Sequence, residues 1–127
     1  MPTDEIKKSY ASVENYGDIT GNYAQLTPIA LEDLKLFRGV DKKVSFEQVM
    51  NDPALYDQMV DLYYDRMGDF GVPDDLYTRV IWWRAPTLYK KTGGDISKIE
   101  DPKLRNIMEN RVKNIYLPAK YKALMEK

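Results

Sequence analysis

Three times in this chain a capping residue stands directly before a proline: Thr27-Pro28, Asp52-Pro53 and Asp101-Pro102. Each pair is a helix start. The Thr or Asp side chain accepts a hydrogen bond from an amide of the first turn, and proline at the first helical position has no amide to leave unbonded. Behind each start the apolar residues recur at helical spacing. They are Ala30, Leu31, Leu34 and Phe37 after the first, and Leu55, Met59, Leu62, Tyr63, Met67 and Phe70 after the second. Leu104, Ile107, Met108, Val112 and Ile115 follow the third. No five-residue stretch shows strand alternation bounded by turns. A chain punctuated this way is expected to be all-α.

The remaining signals fill in the same picture. Thr3 caps a first helix over about residues 4–15, with Asp4 and Glu5 in its first turn and Ile6, Tyr10 and Val13 on one face. Residues 16–26 read as a loop, or at most a short irregular hairpin, because Gly17 and Gly21 break the periodicity. Ser45-Phe46-Glu47-Gln48 has the form of a capping box and opens a short helix. Asp74 or Asp75 caps another, in which Leu76, Val80, Ile81 and Trp83 face inward and Trp82 and Arg84 lie near the other side. Pro86 ends or kinks it. Gly39, Gly71 and Gly93-Gly94 are stops, and Pro118 divides the last long helix from a terminal turn. The expected architecture is one domain over residues 1–127, with about six to eight helices packed round a long central helix from Pro53 to Phe70.

Composition narrows the chemistry. The 127 residues contain no Cys and no His. Disulfides, thiolate nucleophiles, Cys-based metal sites and Ser-His or Cys-His catalysis are therefore all excluded. Acid–base chemistry at neutral pH falls to a carboxyl group of raised pKa, or to Tyr or Lys. Nineteen basic and 20 acidic residues give a net charge of −1 without a basic block, so no nucleic-acid partner is expected. No stretch is apolar enough to span a membrane, and MPTDEIKKSY lacks the pattern of a secretory signal. Delivery outside the cytoplasm would need another factor. Ten Tyr and two Trp against three Phe suit a surface that stacks on sugars or a partner protein, although most of them should simply fill a helical core.

Within SVENYGDITGNYAQLTP, Glu14 follows Val13, the last core-facing position of the first helix, and precedes the polar Gly- and Tyr-rich loop. A carboxyl partly desolvated there would have its pKa pushed upward and could act as a general acid. By spacing alone, a solvated Glu at a helix end is the commoner case. Asp18 could be a second acid, or a turn residue between the glycines.

ENYGDITGNYAQLTP resembles the region of lysozyme-like lytic transglycosylases and goose-type lysozymes in which a helix-ending Glu is followed by a Gly-rich loop and a G-x-Y-Q-I-T-P element. Here the matching residues are Gly21, Tyr23, Gln25, Leu26, Thr27 and Pro28. LYYDRMGDFGVPDDLYTRVIWWRAP is similar to the family's long helix, its short turn and the following helix. RVKNIYLPAKY is similar to its R-N-Y-V-P-K segment. The similarity runs from about residue 9 to 121 in the family's order.

There are departures. One extra residue separates Gly21 from Gln25, and Asn15 replaces the usual Ser. The family's A-Y-N-A-G-P becomes Trp82-Trp83-Arg84-Ala85-Pro86.

The resemblance implies a lysozyme-like fold that cleaves peptidoglycan glycan strands with Glu14 as the single catalytic residue, and without metal or cofactor. It implies that Tyr23 and Gln25 bind the sugar, that Tyr116 orients Glu14, and that Trp82 or Trp83 and Tyr89 line the cleft. By analogy it also implies a bacteriophage setting, with the protein virion-associated or released to the cell wall by another factor. The alternative is a non-catalytic descendant of the fold that serves as a structural or interaction module with other virion proteins. A small helical adaptor unrelated to lysozyme is a third reading.

Overall fold

The cap-proline starts are all used in the structure, a computed structural model that describes residues 7, 8, 10, 11 and 19–116, the last two by backbone only. Residues 7, 8, 10 and 11 are helical. Thr27 accepts the amide of Ala30 at 3.1 Å and opens α1, Pro28–Phe37. The Ser45–Gln48 box is closed in both directions, at 3.0 and 2.8 Å, and opens α2, Phe46–Asn51. Asp52 then accepts the amide of Leu55 at 3.2 Å at the head of α3, Pro53–Arg66, the longest helix among the described residues. These are local devices, each closed within three residues, which is why the sequence pattern alone exposes them.

The chain falls into two compact units, Met1–Arg66 and Met67–Lys127. In the first, α1 and α2 pack on α3. Leu31, Leu34, Val49, Met59 and Val60 are buried there, together with Tyr10, Tyr23, Tyr56 and Tyr64.

The buried face of α3 differs from the expected one. Tyr56, Met59, Val60 and Tyr64 point inward, at i, i+3, i+4 and i+8, while Leu55, Leu62 and Tyr63 are only half-buried. A tyrosine can lie on either side of such a boundary, and Tyr56 goes inside because its hydroxyl finds polar partners there. Phe37, expected in the core, is 55% exposed. Its ring instead carries the guanidinium of Arg66 at 3.7 Å, and Arg66 is also paired to Asp33 at 3.1 Å.

The second unit opens with a 3-10 turn, Met67–Phe70, so the α-helix stops one turn earlier than expected. Gly71, at φ 83°, ends that turn. Asp75 then caps α4, Leu76–Trp82, by accepting the amide of Thr78 at 2.9 Å. Next come α5, Leu88–Thr92, a 3-10 turn at Ile96–Lys98, and α6, Pro102–Arg111, capped by Asp101. A π-helical turn, Val112–Tyr116, follows. Here α4 packs on α6 and on that turn.

Two arginines of this unit run their stems through the interior and place their heads on backbone carbonyls. Arg111 donates to Val80 at 3.2 Å, and Arg79 donates to Pro73 at 3.0 Å. Trp82, expected near the outer side of α4, is buried at 3% exposure. Ile107, expected inward on α6, is exposed. No strand occurs among the described residues, and the fold is all-α.

Candidate functional site

The loop that carries two of the candidate residues is built around Asn22. Its side-chain oxygen accepts the amide of Leu26 at 2.7 Å, and its side-chain amide donates to the Leu26 carbonyl at 3.0 Å. The Asn22 backbone carbonyl accepts both the amide and the side-chain amide of Gln25, at 3.0 and 3.2 Å. An Asx-type turn of this kind closes a loop on itself without strand pairing. Gln25 is the cost of that closure. Its φ of 51° lies in the left-handed region, and it is the only non-glycine residue there among those described.

Two consecutive residues of α3 hold this loop. Tyr56 hydrogen-bonds through its hydroxyl to the Asn22 side-chain oxygen, and the same hydroxyl accepts the amide of Ala24 at 3.1 Å. Asp57 accepts the Tyr23 hydroxyl on Oδ1 at 2.8 Å and faces the Lys7 ammonium from Oδ2 at 3.4 Å. The Lys7 ammonium is also 5.4 Å from the centre of the Tyr23 ring. The Tyr23 and Tyr56 rings meet edge to face at 5.0 Å.

Tyr23 is 2% exposed. Burial, followed by its hydrogen bond to Asp57, pushes its phenol far above the ordinary range, so it stays a donor at any physiological pH. Burial likewise raises the Tyr63 phenol, with the Asp33 carboxylate adding to the effect.

These groups border a cavity of about 260 Å³ whose walls include Lys7, Thr20, Tyr23, Tyr56 and Asp57. The apolar side is supplied by Ile19, Met50 and Pro53. A carboxylate and an ammonium that largely neutralise each other, beside aromatic rings, suit a neutral ligand with hydroxyl or amide groups and a flat apolar face. A larger trough of about 720 Å³ lies in the second unit along Gly93, Gly94, Asp95, Ser97, Glu109 and Lys113. It is shallow, and none of the candidate residues described lines it.

The candidate residues divide as follows. Tyr23 and Gln25 share one loop, with Tyr23 buried and Gln25 exposed. Trp82 and Tyr89 belong to the second unit and meet edge to face at 5.2 Å. Tyr89 in turn packs against Gly94, where a Cβ would stand 3.0 Å from the ring's hydroxyl. Glu14 and Asp18 lie outside the described residues, as does the side chain of Tyr116, whose backbone ends the π-helical turn.

Sequence reasoning missed Lys7 and Asp57, which lie 50 residues apart in the chain. The available signal was Asp57 and Asp61, a pair at i, i+4 on a helix that buries its neighbouring positions. Among the described residues no group of three or more His, Cys, Asp or Glu side chains could hold a metal ion. Nor is any helix there long and apolar enough to cross a membrane.

No protein-family model, curated protein or solved structure matches this chain.

Proposed function

We propose that this protein is a peptidoglycan-cleaving glycosidase, with Glu14 as the acid and the Gly21–Leu26 loop as part of the sugar-binding wall. One observation carries the reading. Gln25 is exposed in a strained left-handed conformation, on a loop bonded to α3 through Tyr56 and Asp57. Strain of this sort persists where the surroundings over-determine it, and it concentrates at ligand-binding positions. The cavity walled by Thr20, Gly21 and Tyr23 of the same stretch has room for about one sugar ring, being smaller than the roughly 300–1,000 Å³ of clefts that take larger ligands.

In the proposed reaction Glu14 gives its proton to the glycosidic oxygen between N-acetylmuramic acid and N-acetylglucosamine as the C1–O bond breaks. The substrate's acetamido group stabilises the oxocarbenium-like state. The Glu14 carboxylate then takes a proton, either from the sugar's 6-hydroxyl as its oxygen closes a 1,6-anhydro ring, or from an attacking water. The first route is a lytic transglycosylase and the second a lysozyme. A role in phage entry or lysis, with delivery by the virion or by another lysis factor, fits either.

Zymography on purified peptidoglycan tests this. Wild type should clear the gel and Glu14→Gln should not, and mass spectrometry of the products should show anhydro or reducing ends. Absence of clearing by wild type between pH 4 and 9 would refute it.

The second reading is a non-catalytic interaction module. It is favoured by the burial of Tyr23 and Trp82 and by the apolar residues Ile29, Leu36 and Phe37 left exposed at i, i+7 and i+8 on α1.

A further inference from the structure

Asp57 joins three segments of the first unit. It lies on α3, accepts the phenol of Tyr23 from the loop, and faces the ammonium of Lys7 from the N-terminal helical residues. Stability alone does not require this arrangement. The Lys7–Asp57 contact is 3.4 Å long with both side chains over a fifth exposed, and ion pairs of that kind add little. A Tyr–Asp hydrogen bond at a buried ring could be replaced by two apolar side chains without loss of packing. What a directional bond to a carboxylate supplies is position. Its two oxygens point to two different segments, so the spacing between those segments is set by one rigid group.

From this geometry we infer that Asp57 is a positioning residue. It fixes the Gly21–Leu26 loop, and with it Gln25, relative to the segment that carries Lys7. Glu14 comes seven positions after Lys7 in the sequence. The catalytic consequence rests on the glycosidase reading, but the anchoring does not. Tyr56 supports the same loop from the adjacent position of α3, through Asn22 and Ala24. Asn22 closes the turn, and Tyr56 and Asp57 together fix it on α3, so that loosening either bond loosens the turn.

The test uses the full chain and three variants. Asp57→Asn keeps the shape and removes the charge, Asp57→Ala removes both, and Tyr23→Phe removes the phenol while sparing the Lys7 contact. Amide hydrogen exchange should rise about tenfold or more at Ala24 and Leu26 in each variant, while amides in the middle of α1 and α6 keep their rates. Should Asp57→Asn not fold, Tyr23→Phe carries the same measurement. Unchanged exchange in the loop overturns the anchoring. A uniform rise across α1, α3 and the loop also overturns it, since Asp57 would then be an ordinary stabilising residue.

For catalysis, Asp57→Asn should lower kcat on peptidoglycan at least tenfold with KM within twofold of wild type. A wild type that cleaves while Asp57→Asn keeps its kcat overturns the positioning role. A wild type that cleaves nothing refutes the glycosidase reading instead, and the exchange data still decide whether Asp57 anchors the loop.

Discussion

Replacing Tyr56 by Phe removes one oxygen atom and leaves the ring, including its edge-to-face contact with Tyr23 at 5.0 Å. The magnitude follows from what that oxygen does. It accepts the amide of Ala24, a residue with no exposed surface, at 3.1 Å, and it bonds the Asn22 side chain. Taking one partner away from a buried backbone donor costs about 1–3 kcal/mol, and a further ordinary hydrogen bond contributes about 0.5–1.5 kcal/mol. Phe gains slightly in apolar burial, so the net loss should be about 2 kcal/mol. For a chain of this size that corresponds to a fall in Tm of roughly 6–10 °C.

Thermal unfolding followed by circular dichroism measures the global effect. Amide exchange at Ala24 and Leu26 measures the local one. Asn22→Ala removes the other end of the same contact, so the double variant should cost less than the sum of the singles by about 1 kcal/mol. A loss below about 0.5 kcal/mol with unchanged Ala24 exchange, or strict additivity in the double variant, would show that the hydroxyl does not hold the turn.

Three further outcomes are expected. Gln25→Gly relieves a left-handed residue at φ 51° but gives the unfolded chain more freedom, so stability should stay within about 0.5 kcal/mol of wild type by urea unfolding. If Gln25 contacts sugar, cleavage should fall all the same, and a loss of stability above about 1 kcal/mol would show that its side chain is structural. Gly94→Ala should destabilise more than Gly93→Ala, because a Cβ at Gly94 meets the Tyr89 ring at 3.0–3.2 Å whereas one at Gly93 meets nothing within 4 Å. Equal losses in thermal unfolding would contradict this. Because burial raises the folded-state pKa of Tyr23 and Tyr63, their contribution is complete below the ordinary phenol value of 10.0 and is lost as pH rises above it. For Tyr23 the slope is about 1.4 kcal/mol per pH unit, and Tyr23→Phe should flatten the urea midpoint between pH 10 and 11.5.

What the sequence disclosed was local. Thr27, Ser45, Asp75 and Asp101 each cap within three residues, and such bonds are written in adjacent letters. The facing of α3 was not written that way. Leu62 and Tyr63 look like core residues and Tyr56 looks no better, but only Tyr56 has an Asn22 side chain 34 positions away to receive its hydroxyl. Phe37 was misread for a related reason, since its ring is used by Arg66 across a helix pair rather than by the core. Amphipathic residues are assigned by their tertiary partners, and periodicity is blind to those.

The candidate site was legible to the same degree. Tyr23 and Gln25 were found because the GNYAQLTP motif is contiguous. The structure separates them, with Tyr23 buried against Asp57 and Gln25 exposed at a left-handed φ of 51°. Lys7 and Asp57 became visible only when three segments met at one carboxylate. That difference bears on the choice between enzyme and interaction module. A loop serving only to bind a partner needs a shape, whereas a loop that must hold an amide side chain at a fixed distance from an acid needs a position. Position is what direct hydrogen bonds to a half-buried carboxylate provide, and packing alone does not. The proposed glycosidase therefore stands or falls on whether loosening the Asp57 and Tyr56 bonds beneath Gln25 changes cleavage.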